Sequence, residues 1–114
     1  MTRVKICGIT ELEDARDAAL LGADAIGLNF YPNSPRYIDP ARAAKIIEKL
    51  PPFVTTVGVF VNHPDPQSLE DFAISLGLHA VQLHGQPIHR VPHPACQEIT
   101  VLSWYLGGLT RRCY

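Results

Sequence analysis

The sequence predicts an α/β fold built on a parallel sheet, because strand-like runs alternate along it with helical patterns. The predicted strands cover residues 3–7, 24–30, 54–61 and 79–84. A strand, a helix and a further strand in this order are typical of right-handed βαβ units, whose strands lie parallel in one sheet. The sheet is therefore expected to follow the chain order, with one helix after each of the first three strands.

The predicted helices begin at residues that favour helix N-termini. Thr10 with Glu13 three residues later predicts a capping box before the first helix. Asp39 and Asp65 are each followed by a proline, which predicts an N-cap with proline at the first helical position. The apolar faces of the three predicted helices are Leu12, Ala15 and Ala19; Ala43, Ile46, Ile47 and Leu50; and Leu69, Phe72, Ala73 and Leu76.

Alternation along the strands separates two sets of side chains, one for each face of the sheet. The apolar set, expected beneath the helices, is Val4, Ile6, Ile26, Leu28, Phe30, Val57, Val59, Val61, Val81 and Leu83. The smaller or more polar set is Lys5, Cys7, Ala25, Gly27, Asn29, Thr56, Gly58, Phe60, Ala80, Gln82 and His84. An open doubly wound sheet would be apolar on both faces, whereas a barrel has one interior face with its site at the C-terminal strand ends. The pattern favours the barrel type.

Length limits how much of a barrel the sequence holds. A complete eight-unit (β/α) barrel needs about 200 residues or more, and this sequence has 114. We therefore predict a partial barrel of about four βα units in residues 1–85 and a divergent, poorly ordered tail in residues 86–114. Residues 1–85 carry ten acidic and seven basic side chains, whereas the tail has Glu98 against three arginines and three prolines within eight positions. Residues 99–106 are the tail's one strand-like run.

Composition argues against several classes of partner. A net charge of −1 gives no electrostatic reason to expect nucleic acid or an anionic membrane. No apolar run approaches the roughly 18 to 20 residues that span a bilayer, and the first residues lack the apolar core of a signal peptide. Three cysteines without metal-ligand spacing indicate a reduced cytoplasmic protein. Neither a metal nor another cofactor is expected.

Four polar residues at the C-terminal ends of strands are candidates for chemistry. Cys7 would lie near a helix N-terminus with Lys5 on the same side, which favours a thiolate, but a lone cysteine equally packs as a small buried side chain. Arg36 suits bidentate recognition of a carboxylate or phosphate, or is an exposed loop arginine. Gln82 and His84 either bind a polar ligand at the strand ends or are structural.

Four segments resemble the phosphoribosylanthranilate isomerase family. They are VKICGIT at residues 4–10, GLNFYPNSPRYI at 27–38, VGVFVN at 57–62 and VQLHG at 81–85, in the family's order and each at the end of a predicted strand. The resemblance implies a TIM-barrel fold and an enzyme of tryptophan biosynthesis. It implies an Amadori rearrangement of N-(5-phosphoribosyl)anthranilate, a phosphorylated small molecule, to the corresponding 1-deoxyribulose 5-phosphate.

The resemblance also assigns roles to the four candidates. Cys7, in the KICG motif, would be the general base that removes the C2 proton of the ring-opened Schiff base. Arg36, in the SPRY motif, would hold the anthranilate carboxylate. Gln82 and His84, in the QLHG motif, would line the substrate site.

Two parts of the family pattern lack a secure counterpart in the sequence: an aspartate general acid from a later strand and glycine-rich phosphate loops. The expected protein is thus a truncated or altered family member with little activity alone, slower by on the order of a thousand-fold. Its sheet is expected to expose edges at the first and fourth strands and to self-associate through them. The alternatives are a non-catalytic doubly wound signalling module and a fragment that only binds a complete isomerase subunit.

Overall fold

The computed structural model describes residues 2–62, 65–84 and 97–100 of the chain. In these residues three helices and five strands follow one another as β1 (Lys5–Ile6), α1 (Leu12–Leu20), β2 (Ala25–Asn29), α2 (Pro40–Lys49), β3 (Thr55–Val61), α3 (Pro66–Leu76), β4 (Ala80–His84) and β5 (Gln97–Thr100). The strands form one parallel sheet in the order β1-β2-β3-β4-β5. The predicted parallel α/β architecture is confirmed.

The strand order separates the barrel type from the doubly wound type. A doubly wound sheet reverses its direction of winding at a switch point, whereas each described strand here pairs with the next along the chain. Lys5 of β1 also donates a side-chain hydrogen bond to Gln82 Oε1 of β4. In a flat sheet these strands would lie roughly 14 Å apart, so this contact indicates that the face between them is concave.

The face that β3 presents to the concave side differs from the prediction. Residues paired in a parallel register share a face, and one such row contains Asn29, Val59 and Gln82. The sequence analysis placed Val59 under the helices, which is wrong: Phe60 belongs to the core there. Strand β3 is largely apolar on both faces, and both faces are buried. Alternation alone therefore does not show which of its side chains face the helices, that is, the phase of the strand.

The hydrophobic core lies between the sheet and its helices. Its buried members are Ile9, Ala15, Ala18, Ile26, Leu28, Ile38, Ala43, Ile46, Val54, Phe60, Leu69, Ala73, Leu78, Val81 and Leu83. The predicted helix faces supply Ala15, Ala43, Ile46, Leu69 and Ala73, and the other residues of those faces pack against this core. The helices therefore cover one face of the sheet. The C-terminal ends of the strands are left for a site.

Two of the three predicted helix starts are confirmed. The Asp39 side chain accepts a hydrogen bond from Ala41 N at 2.7 Å, and Asp65 accepts from Gln67 N and Ser68 N at 3.1 and 3.2 Å. Each aspartate satisfies backbone donors that the first helical turn leaves without an acceptor. Both helices then begin at the expected proline.

The predicted capping box at Thr10 and Glu13 is wrong. Helix α1 begins after Glu11, which makes no side-chain capping hydrogen bond. The preceding loop is fixed by other contacts: Gly8 N and Ile9 N both donate to Gly27 O, and Ile9 is buried in the core. These contacts place Thr10 in the loop before the N-cap position.

The edges of the sheet also differ from expectation. Strand β4 is not an edge, because β5 pairs with it from Ala80↔Gln97 to Leu83↔Thr100. The strand expected at residues 99–106 starts two residues earlier, and residues 101–106 lie outside the described residues, as does most of the predicted tail. The boundary at residue 86 therefore stays a prediction. In the described part of the chain, no helix is long and apolar enough to cross a membrane.

Candidate active site

The Cys7 thiol lies at the C-terminal end of β1, directly beside Gly27 of β2. Cys7 is half-buried, and its Sγ would be only 2.8 Å from a Cβ atom placed on Gly27. The Gly27 carbonyl oxygen accepts hydrogen bonds from Gly8 N at 3.1 Å and Ile9 N at 3.2 Å. The turn that follows Cys7 is thus attached to the neighbouring strand.

Arg36 lies in the loop that follows β2, and this loop is held by polar contacts. Ser34 Oγ accepts a hydrogen bond from Arg36 N at 3.1 Å, and the side chain of Asn29 accepts one from Tyr31 N at 2.9 Å. Ile38 N donates to Asn29 O at 2.9 Å and Ile38 is buried. The backbone of Arg36 is therefore positioned although its side chain is exposed.

The structure brings Arg36 and Cys7 to the same cleft. The aliphatic part of the Arg36 side chain passes Gly8, where its Cγ is 3.2 Å from the position of a Cβ atom. Gly8 has a φ of +79°, a conformation that favours glycine. Cys7, Gly8, Pro35 and Arg36 line one part of a cleft of about 610 Å³. Cys7 and Arg36 thus line the same cleft, and the guanidinium of Arg36 gives this part of it a positive charge, which suits an anionic ligand.

The other part of this cleft lies against α1. It is lined by Asp14, Asp17 and Leu21. Carboxylates repel an anionic ligand. The part beside Arg36 is therefore the more favourable part of the cleft for an anion.

Gln82 and His84 form a second polar group together with Lys5. Gln82 accepts a hydrogen bond from Lys5 Nζ through Oε1, and its Nε2 lies 2.8 Å from Nε2 of His84. A lysine ammonium only donates, so the amide nitrogen of Gln82 must face the imidazole and donate to it. His84 Nε2 then accepts, which requires a neutral imidazole with its proton on Nδ1.

Electrostatics support the neutral form of His84. Burial, and secondarily the positive charge of Lys5, lower the pKa of His84 from its ordinary 6.5. Because the folded-state pKa lies below that of the unfolded chain, neutral His84 contributes its full share of stability above pH 6.5. That share is lost as the pH falls through the folded-state pKa.

We expect Lys5→Met to raise the pKa of His84 part of the way back towards 6.5, because it removes the cation and leaves the burial. The measurement is an NMR titration of the imidazole carbons and nitrogens of His84. Lys45→Met, which alters an exposed lysine on α2, is the matched control and should leave the titration unchanged. Equal midpoints in both variants would contradict the assigned effect of Lys5.

The predicted site residues thus form two groups, Cys7 with Arg36 and Gln82 with His84, and Lys5 connects the second group to β1. Sequence reasoning missed Gly27 and Ser34. A glycine within a strand is a signal of close approach by a neighbour, and a serine two residues before Arg36 is a signal of a side-chain turn. In the described residues, no group of three or more His, Cys, Asp or Glu is placed to hold a metal ion.

Comparison with known proteins relates this arrangement to one family. The family model for N-(5'-phosphoribosyl)anthranilate (PRA) isomerase matches residues 4–102. N-(5'-phosphoribosyl)anthranilate isomerase of Thermotoga maritima is 52% identical over 99 residues, which cover 87% of this chain and 46% of the relative. The enzyme of Hahella chejuensis is 58% identical over 83 residues, which cover 73% of this chain and 38% of the relative. The chain therefore spans less than half the length of these relatives.

Solved structures give the same result. The crystal structure of the Thermotoga maritima isomerase matches with a TM-score of 0.73 and 56% identity over 77% of this chain and 42% of that one. A phosphoribosyl anthranilate isomerase in complex with reduced 1-(o-carboxyphenylamino)-1-deoxyribulose 5-phosphate also matches with a TM-score of 0.73 and 56% identity, covering 77% and 45%. These neighbours are of the TIM-barrel type. By sequence and by fold, this chain belongs to the phosphoribosylanthranilate isomerase family.

Proposed function

We propose that the described residues form the N-terminal half of an isomerase site for N-(5-phosphoribosyl)anthranilate. The observation that carries the proposal is the convergence of Cys7 and Arg36 on one cleft. A related protein whose matching part is 56% identical binds a reduced analogue of the rearranged product. That analogue has a carboxylate and a phosphate, and Arg36 supplies a donor for the first of these groups.

Cys7 is the general base in this proposal. Its thiolate removes the proton from C2 of the ring-opened, N-protonated Schiff base, and the C–H electron pair forms a double bond between C1 and C2. The electron pair of the C1–N double bond moves onto nitrogen, which gives an enolamine. Loss of the enol O–H proton and protonation of C1 then yield the ketone. The reaction is an isomerisation and needs no external oxidant or reductant.

Arg36 and the group of Gln82 and His84 bind and orient the substrate. The guanidinium of Arg36 can form two parallel hydrogen bonds with the anthranilate carboxylate. Gln82 and His84 lie near the C-terminal end of β4, on the face that carries Asn29 of β2.

The proton donor for ring opening and the phosphate grip belong, in this proposal, to the part of the relatives that this chain does not match. The chain alone is then expected to convert substrate at least about a thousand-fold more slowly than a complete relative, because it lacks electrostatic stabilisation of the transition state. We place the activity in the cytoplasm, where a cysteine base stays reduced.

The test is a hybrid chain in which residues 4–102 are joined to the unmatched remainder of the Thermotoga maritima relative. Purified hybrid and purified chain are compared by the loss of substrate fluorescence. Turnover by the hybrid together with little or none by the chain supports the proposal. A folded but inactive hybrid, or full turnover by the chain alone, contradicts it.

We further propose that the chain self-associates through the edge of β1. In the described sheet β1 is an end strand, so its backbone is open to pairing on one side. Val4, Ile6 and Leu21 are exposed there and line an apolar groove of about 150 Å³. A second copy of the chain offers both a complementary strand edge and a matching apolar surface.

Sedimentation of the chain is therefore expected to show a concentration-dependent dimer. Ile6→Lys should weaken association by about tenfold or more, since it places a charge in the apolar groove. Ile74→Lys is the matched control, because Ile74 is a half-exposed isoleucine on α3. A monomer at all concentrations, or equal weakening by both variants, would contradict association through β1.

A further inference from the structure

We propose that Gly27 is a positioning residue that sets the location of the Cys7 thiol. The proposal rests on the proposed function, in which Cys7 is the general base, and adds a residue that does not itself touch the substrate. Gly27 lies on β2. It touches Cys7 directly, and its carbonyl oxygen accepts hydrogen bonds from the two residues that follow Cys7.

The steric contact depends on the absence of a side chain at Gly27. A Cβ atom placed there would lie 2.8 Å from Sγ, 3.2 Å from Cα and 3.4 Å from Cβ of Cys7. Carbon and sulfur atoms without a bond between them do not approach so closely without strain. The thiol therefore occupies space that is available only because residue 27 is glycine.

The hydrogen bonds limit how the strain of a larger residue could be relieved. The Gly27 carbonyl oxygen accepts from the backbone N–H groups of Gly8 and Ile9, and Ile9 is anchored in the hydrophobic core. Ile6, before the thiol, pairs with Ile26 of β2, so the backbone on both sides of Cys7 is attached to the sheet and Cys7 cannot easily move as a whole. The remaining freedom is rotation about χ1, which moves Sγ to another staggered position.

Such a rotation matters for a base that must meet one C–H bond. A displacement of about 1 Å at a reacting atom can lower a rate by about 10²-fold. Gly27→Ala is the smallest change that adds the Cβ atom. Gly58→Ala is the matched control, because Gly58 is a strand glycine whose added Cβ would instead meet Leu78 and Phe60.

The first experiment measures Cys7 directly in the whole chain, with Cys96→Ser and Cys113→Ser present so that Cys7 is the only thiol. Its rate of alkylation by iodoacetamide is followed by mass spectrometry as a function of pH. We expect Gly27→Ala to change this rate by about threefold or more, and Gly58→Ala to leave it unchanged. An unchanged rate in folded Gly27→Ala would overturn the proposal.

The second experiment keeps the proposal testable if Gly27→Ala folds poorly. Thermal unfolding is compared for Gly27→Ala with Cys7 present and with Cys7→Ala. If the added methyl group acts on the thiol, removal of Sγ should restore part of the lost stability. Equal destabilisation with and without the thiol, or failure of both variants to fold, would overturn the proposal.

The hybrid chain supplies a third measurement. We expect Gly27→Ala to lower kcat about 10²-fold with little change in KM, while Gly58→Ala alters neither. Alkylation and unfolding do not depend on turnover, so an inactive hybrid would refute the proposed function and leave the Gly27 proposal to those two experiments. Conversely, normal kcat in folded Gly27→Ala would overturn only the role of Gly27.

Discussion

Cys7→Ala in the hybrid chain is expected to lower kcat by about 10²- to 10⁴-fold and to leave KM nearly unchanged. General base catalysis contributes a factor of this size, and alanine has no group that can accept the C2 proton. In the proposed function, substrate binding relies on Arg36 and on the polar group at Gln82 and His84, none of which this change removes. Steady-state fluorescence kinetics on purified hybrid measure both constants.

Cys7→Ser distinguishes base catalysis from packing. Serine is close to cysteine in size, but its hydroxyl is far less acidic than a thiol and does not ionise to a useful extent near neutral pH. If Cys7 is the base, serine and alanine should be almost equally inactive, although serine fills the space beside Gly27. Activity retained by Cys7→Ser would instead assign Cys7 a structural role.

The elements were predictable from the sequence where the local signals agree with the tertiary contacts. Asp39 and Asp65 precede prolines and cap α2 and α3 as expected, because such a cap is formed within a few residues. The capping box at Thr10 failed since contacts far along the chain, from Gly8 and Ile9 to Gly27, decide where α1 begins. Local pattern carries no information about such partners.

The face of each strand was predictable only where one face is polar. In β4, Gln82 and His84 mark the polar face, and the register places both on the face that also carries Asn29. Strand β3 has valines on one face and Phe60 on the other, and the prediction assigned these faces the wrong way round. The fold class was nevertheless right, because it depends on the order of the elements rather than on the phase of one strand.

Composition and spacing do not predict that Arg36 lies beside Cys7. Nothing local relates residues so far apart in the chain, and the contact depends on how the loop after β2 folds back over Gly8. The resemblance to the family suggested that both residues serve one substrate. The structure shows what places Arg36 there: Ser34 accepts a hydrogen bond from the Arg36 backbone, and the absence of a Cβ atom at Gly8 leaves room for the Arg36 side chain.

Arg36→Met in the hybrid is expected to lower kcat/KM by about 10- to 150-fold. A hydrogen bond to a charged group is worth about 1.5–3 kcal/mol, which corresponds to that range at 1.4 kcal/mol per factor of ten. Methionine keeps an aliphatic stem that can pack against Gly8, so the change removes the guanidinium with little effect on folding. Arg42→Met is the matched control, because Arg42 forms an exposed ion pair with Glu11 and such pairs contribute little.

A substrate without the carboxylate identifies what Arg36 binds. The aniline analogue of the substrate lacks only that group, so the hybrid with Arg36 should convert it much more slowly than the natural substrate. In Arg36→Met the two substrates should differ by about threefold or less, since the guanidinium that distinguishes them is absent. If the variant still discriminates as strongly as the parent, Arg36 does not bind the carboxylate. If it loses activity on both substrates equally, the guanidinium acts on another group, and the cleft beside Cys7 would have to be reassigned.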